Sequence, residues 1–181
     1  MAHTYAEELG GRSVSIWPTV WKFALILAAF KIGYSLLVQT SGLAGTPGLG
    51  LVGFVVAVVL LVAALRSFRA RNGGHMTFGQ GFVIAFVASL ISVVVSAAVD
   101  AVYLATAGRE RLAALLETTM SQVEASPGMD AQTLQAARSF LEVVFTPGGL
   151  FFVAVLGGVI GWCIVSLILA ALQKRPPPLE A

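Results

Sequence analysis

Residues 82–99 read FVIAFVASLISVVVSAAV. No charged side chain interrupts them, and the apolar residues do not alternate with polar ones but cover every face of a helix drawn through them. A transmembrane β-strand needs roughly ten residues of alternation, so this stretch argues for a membrane helix and against a barrel. LVGFVVAVVLLVAAL (51–65) has the same character. About 30 Å of hydrocarbon takes about 20 residues of helix, and four stretches reach or approach that length: Val20–Thr40, Leu49–Leu65, Phe78–Thr106 and Leu150–Gln173.

Composition agrees. Only 11% of residues are charged and mean hydropathy is +0.89, whereas a soluble domain carries about 25% charge. The fold class expected is all-α: one membrane domain over residues 1–181, a four-transmembrane-helix bundle with an extracytoplasmic amphipathic helical hairpin between helices three and four. A cleaved signal peptide has an apolar region of about 7–15 residues before a small-residue cleavage site. The first stretch is longer and leads into QTSGLAGTPG, so it reads as a retained helix. Cys163, the lone cysteine, lies in the fourth stretch, where it reads as a packed core residue and excludes an intramolecular disulfide.

A net charge of +2 and a pI near 9.0 would point to nucleic acid in a soluble domain. Here the cations follow topology. Arg12 and Lys22 precede or open the first stretch, Arg66, Arg69 and Arg71 lie between the second and third, and Lys174 and Arg175 follow the fourth. The 41–49 connection has none. Segment 107–149 sets Arg109, Arg111 and Arg138 against Glu110, Glu117, Glu124, Asp130 and Glu142, a net of −2. The positive-inside rule then puts both termini in the cytoplasm and the long segment outside. The cations, with Trp17 and Trp21 flanking the first span, read as headgroup anchors.

Local signals set the boundaries. Pro18 suits a first helical turn, SGLAGTPGLG (41–50) is a Gly/Pro turn, and RSFRARNGGHMTFGQG (66–81) reads as a compact basic turn broken at Asn72-Gly73-Gly74, with Thr77 capping span three. QKRPPPLEA (173–181) stops the last helix at a cationic turn. Within 108–147, Leu112, Leu115, Leu116, Met120 and Val123 recur at steps of three and four, and SPGMD (126–130) breaks the pattern with Asp130 as the next cap. Leu134, Ala137, Leu141 and Val144 then share a second face. Those faces either pack together or lie on the membrane surface, or they dock a partner.

Lys31 falls near the middle of the first span. Lipid exposure there costs about 2.5–3.5 kcal/mol on insertion scales, so it should face the bundle, with Tyr34 and Ser35 at i+3 and i+4. Ser89, Ser92, Ser96, Asp100 and Tyr103 line one stripe of span three. Together these eight residues form an expected polar seam. Depth argues against a direct Lys31–Asp100 pair: Asp100 lies 22 residues beyond Phe78, roughly 30 Å along the helix, and Lys31 leans toward its own N-terminus. Lys31 is expected instead to bond serine hydroxyls, carbonyls or water, with Ser89 at about its level. The seam is either interhelical glue or a functional path. Gly157, Gly158 and Gly161 give a GxxxG spacing in span four, suited to close packing within the chain or between copies. His3 and His75 stand apart from any cysteine or carboxylate group, so neither a metal site nor another cofactor is expected.

FRARNGGHMTFGQGF (68–82), the acidic amphipathic stretch before TPGG (146–149) and the closing WCIVSLILAALQKR (162–175) resemble a bacterial four-helix membrane family catalogued as domain of unknown function 4199. The similarity runs from about Val20 to Arg175. It implies an inner-membrane protein with four helices and no established activity, and carries over no catalytic residue. The function expected is non-enzymatic: an accessory or assembly subunit partnered by the bilayer and by itself or another membrane protein, with no nucleic acid. The alternative is an oligomeric permeation element built on the seam.

Overall fold

The computed structural model describes residues 14–43, 46–125, 128 and 130–175. His3, Arg12, the break residues Ser126, Pro127 and Met129, and the prolines at 176–178 lie outside them. The described chain is all-helical: α1 Trp17–Thr40, α2 Leu49–Arg71, α3 Phe78–Thr106, α4 Arg109–Glu124, α5 Ala131–Val144 and α6 Pro147–Gln173. Among the described residues no strand forms, only an isolated antiparallel bridge between Met76 and Arg175. Helices α1, α2, α3 and α6 are each long and apolar enough to cross a membrane.

Helix ends follow residue chemistry. Gly48 precedes α2 with φ 89°, a left-handed conformation that glycine adopts without strain. Helix α2 closes in a Schellman motif: Gly73 is left-handed at φ 65° and the Gly74 N–H reaches back to Arg69 O at 2.9 Å. A reciprocal capping box opens α3, with Gln80 N donating to Thr77 Oγ1 at 3.3 Å and Thr77 N donating to Gln80 Oε1 at 3.0 Å. Asp130 Oδ1 accepts from Thr133 N at 2.7 Å and starts α5. Hydrogen bonds from the Thr133 side chain and backbone hold the Asp130 carboxyl below its usual pKa.

Three boundaries differ from the sequence reading. Helix α1 starts at Trp17, three residues early. Helix α2 does not stop at Leu65 but runs through Arg66 and Arg69 to Arg71, shrinking the expected basic turn to residues 72–76. Arginine is a good helix former, its stem tolerates an apolar surround, and a helix C-terminus favours cations. Helix α6 starts at Pro147 rather than Leu150, because Thr146 Oγ1 accepts from Gly149 N at 2.9 Å and proline fits the first helical position.

The chain resolves into two compact units. Unit 1 takes its described residues from 14–27, 46–89 and 162–175. It packs the first part of α1, all of α2, the first part of α3 and the last part of α6 around Val20, Leu27, Leu61, Leu65, Phe68 and Ile84, all essentially inaccessible. Small residues let backbones approach: a Cβ on Gly81 of α3 would lie 3.4 Å from Ala170 of α6. Unit 2 takes residues 28–43 and 90–161 and holds the remaining parts of α1, α3 and α6 together with α4 and α5. Two tight glycines flank its short helices. A Cβ on Gly108 would sit 3.0 Å from the Tyr103 ring, and one on Gly149 would collide with the Val143 carbonyl oxygen.

Candidate functional site

In unit 2, α1 and α3 meet through polar side chains. Lys31 Nζ donates to Ser92 Oγ at 3.0 Å, and Ser92 is fully buried. One turn further along α1, Ser35 Oγ donates to Asp100 Oδ1 at 2.8 Å. Gln39 Nε2 donates to Ser35 Oγ at 2.7 Å and reaches Asp100 Oδ1 at 3.5 Å. Partners advance together along both helices, so the two segments run parallel. Ser92, which accepts from Lys31, and Asp100 stand eight positions apart on α3, about 12 Å at 1.5 Å per residue. That separation agrees with the depth argument made from the sequence.

The other expected seam residues sit differently. Ser96 Oγ donates to Val93 O within its own helix at 3.2 Å. Tyr34 stacks on Phe30 with ring centroids 5.7 Å apart. Tyr103 packs against the Gly108 corner. Ser89 is buried in unit 1. Gln39 is the participant the sequence reading missed, and its signal was present: it falls four residues after Ser35, on the same stripe. Chemically the arrangement is two hydrogen-bonded clusters, one built on Lys31 and one on Asp100. Hydroxyls of this kind hold membrane helices together at about 0.6 kcal/mol each, rising to about 1.7.

The glycine motif divides. A Cβ on Gly158 would lie 2.7 Å from Val93 Cγ1, so this glycine permits close approach of α6 to α3 within unit 2. Gly157 and Gly161, the pair that carries the GxxxG spacing, have nothing within 4 Å of their Cβ positions. Trp17 and Trp21 are each just over half exposed. Arg66, Arg71, Lys174 and Arg175 are exposed and Arg69 is half-buried. Among the described residues no three His, Cys, Asp or Glu side chains gather where a metal ion could sit.

Helices α4 and α5 pack on each other. Leu112, Leu116, Met120 and Val123 of α4 are half-buried, as are Leu134, Ala137, Leu141 and Val144 of α5. Leu115 departs from the expected face and is 43% exposed. A second departure is larger: Phe140 and Val143 of α5 are 67% and 68% exposed, at the edge of the apolar face that the four half-buried residues share. They stand at i and i+3, and a helix drawn with one apolar face in mind hides them.

The family model described as a protein of unknown function, DUF4199, matches residues 22–175. No curated protein and no solved structure is similar to the chain at a significant level.

Proposed function

From the premise that the chain belongs to the DUF4199 family, we propose that it is a non-enzymatic, multi-pass assembly subunit of a bacterial inner membrane, engaging a membrane partner or a second copy through its α4–α5 hairpin. The cation distribution along the sequence supports cytoplasmic termini and an extracytoplasmic hairpin. The observation that carries the reading is the Phe140–Val143 stripe. Helix α5 half-buries only part of its apolar face and leaves Phe140 and Val143 at the edge of that face exposed, and keeping them in water is costly.

The test is native mass spectrometry of the tagged full chain, extracted in mild detergent at native expression level, beside a Phe140→Glu/Val143→Glu variant of equal helicity. The expected result is one stoichiometric species, a partner complex or a homo-oligomer, that the variant reduces at least tenfold. A species unchanged by the variant, or a monomer from both, would sink the proposal.

The Lys31–Ser92 and Ser35–Asp100 contacts favour a second reading, in which the seam of an oligomer conducts protons or a small anion. In sealed vesicles this reading requires a flux above the lipid background that both Lys31→Met and Asp100→Asn abolish. Vesicles no leakier than lipid alone would rule it out.

A further inference from the structure

Unit 1 brings four helix ends to one rim. An Arg71 Nη2 hydrogen bond to Thr19 Oγ1 ties the end of α2 to the start of α1. Asn72 Oδ1 accepts from Val14 N at 3.4 Å, while Asn72 Nδ2 donates to His75 O at 2.9 Å. Met76 and Arg175 exchange both backbone hydrogen bonds, at 2.8 and 2.9 Å, which joins the lead-in of α3 to the end of α6. Side-chain and backbone hydrogen bonds together therefore cross-tie the rim.

One sign of charge decorates it. Among the described residues of unit 1 the ionised side chains are Lys22, Arg66, Arg69, Arg71, Lys174 and Arg175, with no Asp or Glu. All but Arg69 are exposed. Like charges held on one edge repel, and an anionic partner relieves them. Large apolar side chains accompany them: Trp17, Trp21, Phe78 and Leu172 are exposed by 43% to 74%. A free phosphate ion would meet the cations and leave the indoles and Leu172 in water. A phospholipid meets both, with its phosphate at the cations and its acyl chains along the apolar side chains, and indoles prefer that interfacial level.

We infer that this rim is a binding surface for anionic phospholipid, which it holds in preference to zwitterionic lipid. The test delipidates the full chain in mild detergent, offers an equal mixture of phosphatidylglycerol and phosphatidylcholine, and counts retained lipid by native mass spectrometry. The comparison is with Arg66→Gln/Arg69→Gln/Lys174→Gln, because the bonds tying the rim described above run through other side chains. Wild type should retain phosphatidylglycerol preferentially, and the preference should fall about fivefold per cation removed and fade in 0.5 M salt (roughly a 4 Å Debye length). Equal retention of both lipids by wild type would overturn the inference, as would an undiminished preference in the variant. Displacement of phosphatidylglycerol by millimolar inorganic phosphate would assign the rim to a free anion instead. Should the variant not fold, the wild-type competition at low and high salt decides alone: a salt-sensitive preference supports the inference and its absence overturns it.

Discussion

The two units are held together by different chemistry. Among the described residues, unit 1 contains fifteen of the eighteen buried apolar side chains and all its ionised groups are cations; unit 2 contains Ala28, Val93 and Ala97 from that set and the interhelical hydrogen bonds of Lys31, Ser35, Gln39 and Asp100. Unit 1 is organised chiefly by close packing, with polar ties along its rim, and unit 2 chiefly by polar contacts and glycine clearances. In a membrane, lipid is as apolar as leucine, so tight packing replaces the hydrophobic effect as the source of helix association. The comparison teaches that one short chain uses both available routes.

The contrast breaks most visibly in the unit 1 core. Leu61→Ala removes a fully buried side chain and should cost about 2–5 kcal/mol, read as a fall in the thermal unfolding midpoint in detergent. A loss below about 1 kcal/mol would mean that packing does not organise this unit. Next come the paired glycines of α6. Gly158→Ala drives a methyl to 2.7 Å from Val93 and should cost about 1–3 kcal/mol, while Gly157→Ala meets open space and should be neutral or slightly stabilising by helix propensity. Equal effects from both would show that the close approach of α6 to α3 is not the one described.

A smaller effect sharpens the picture of unit 2. Ser35→Ala removes the hydroxyl shared by Gln39 and Asp100 and should cost about 0.6–1.7 kcal/mol, measured by the same unfolding assay; a cost equal to that of Leu61→Ala would erase the distinction between the units. The smallest lies at the exposed cap of α5. Because hydrogen bonds lower the folded-state pKa of Asp130, its contribution is complete above the unfolded aspartate value of about 3.9 and is lost as pH falls through the lower folded value. Amide exchange in the first turn of α5 should stay flat from neutral pH to about 5 and quicken below that range relative to its intrinsic rate. In Asp130→Asn the acid-dependent step should vanish.

Features written in contiguous residues were legible before the fold. Span three came out at 78–106 because a capping threonine and an unbroken apolar run mark it, and the half-buried face of α5 followed from the spacing of Leu134, Ala137, Leu141 and Val144. Of the two polar stripes, Lys31 and Ser35 of α1 meet Ser92 and Asp100 of α3, and the separate engagement of Lys31 and Asp100 agrees with helix rise and the lean of the lysine side chain. What escaped depends on how helices turn toward one another. Nothing local distinguishes Gly158 from Gly157, pairs Met76 with Arg175, or shows that Phe140 and Val143 remain outside the α4 contact. The end of α2 was misread because arginines there look like loop, although they complete the helix.

The bridge between Met76 and Arg175 also has a consequence for biosynthesis. Unit 1 cannot close until α6 exists, yet residues 90–161 are made between its α3 segment and its α6 segment. At about 5–20 residues per second, the interval is on the order of ten seconds. During that time the nascent helices α1, α2 and α3 stand in the membrane with their core open on the side that Leu169 and Ala170 will fill. A ribosome stalled before Trp162 would therefore leave the packing surface of unit 1 incomplete.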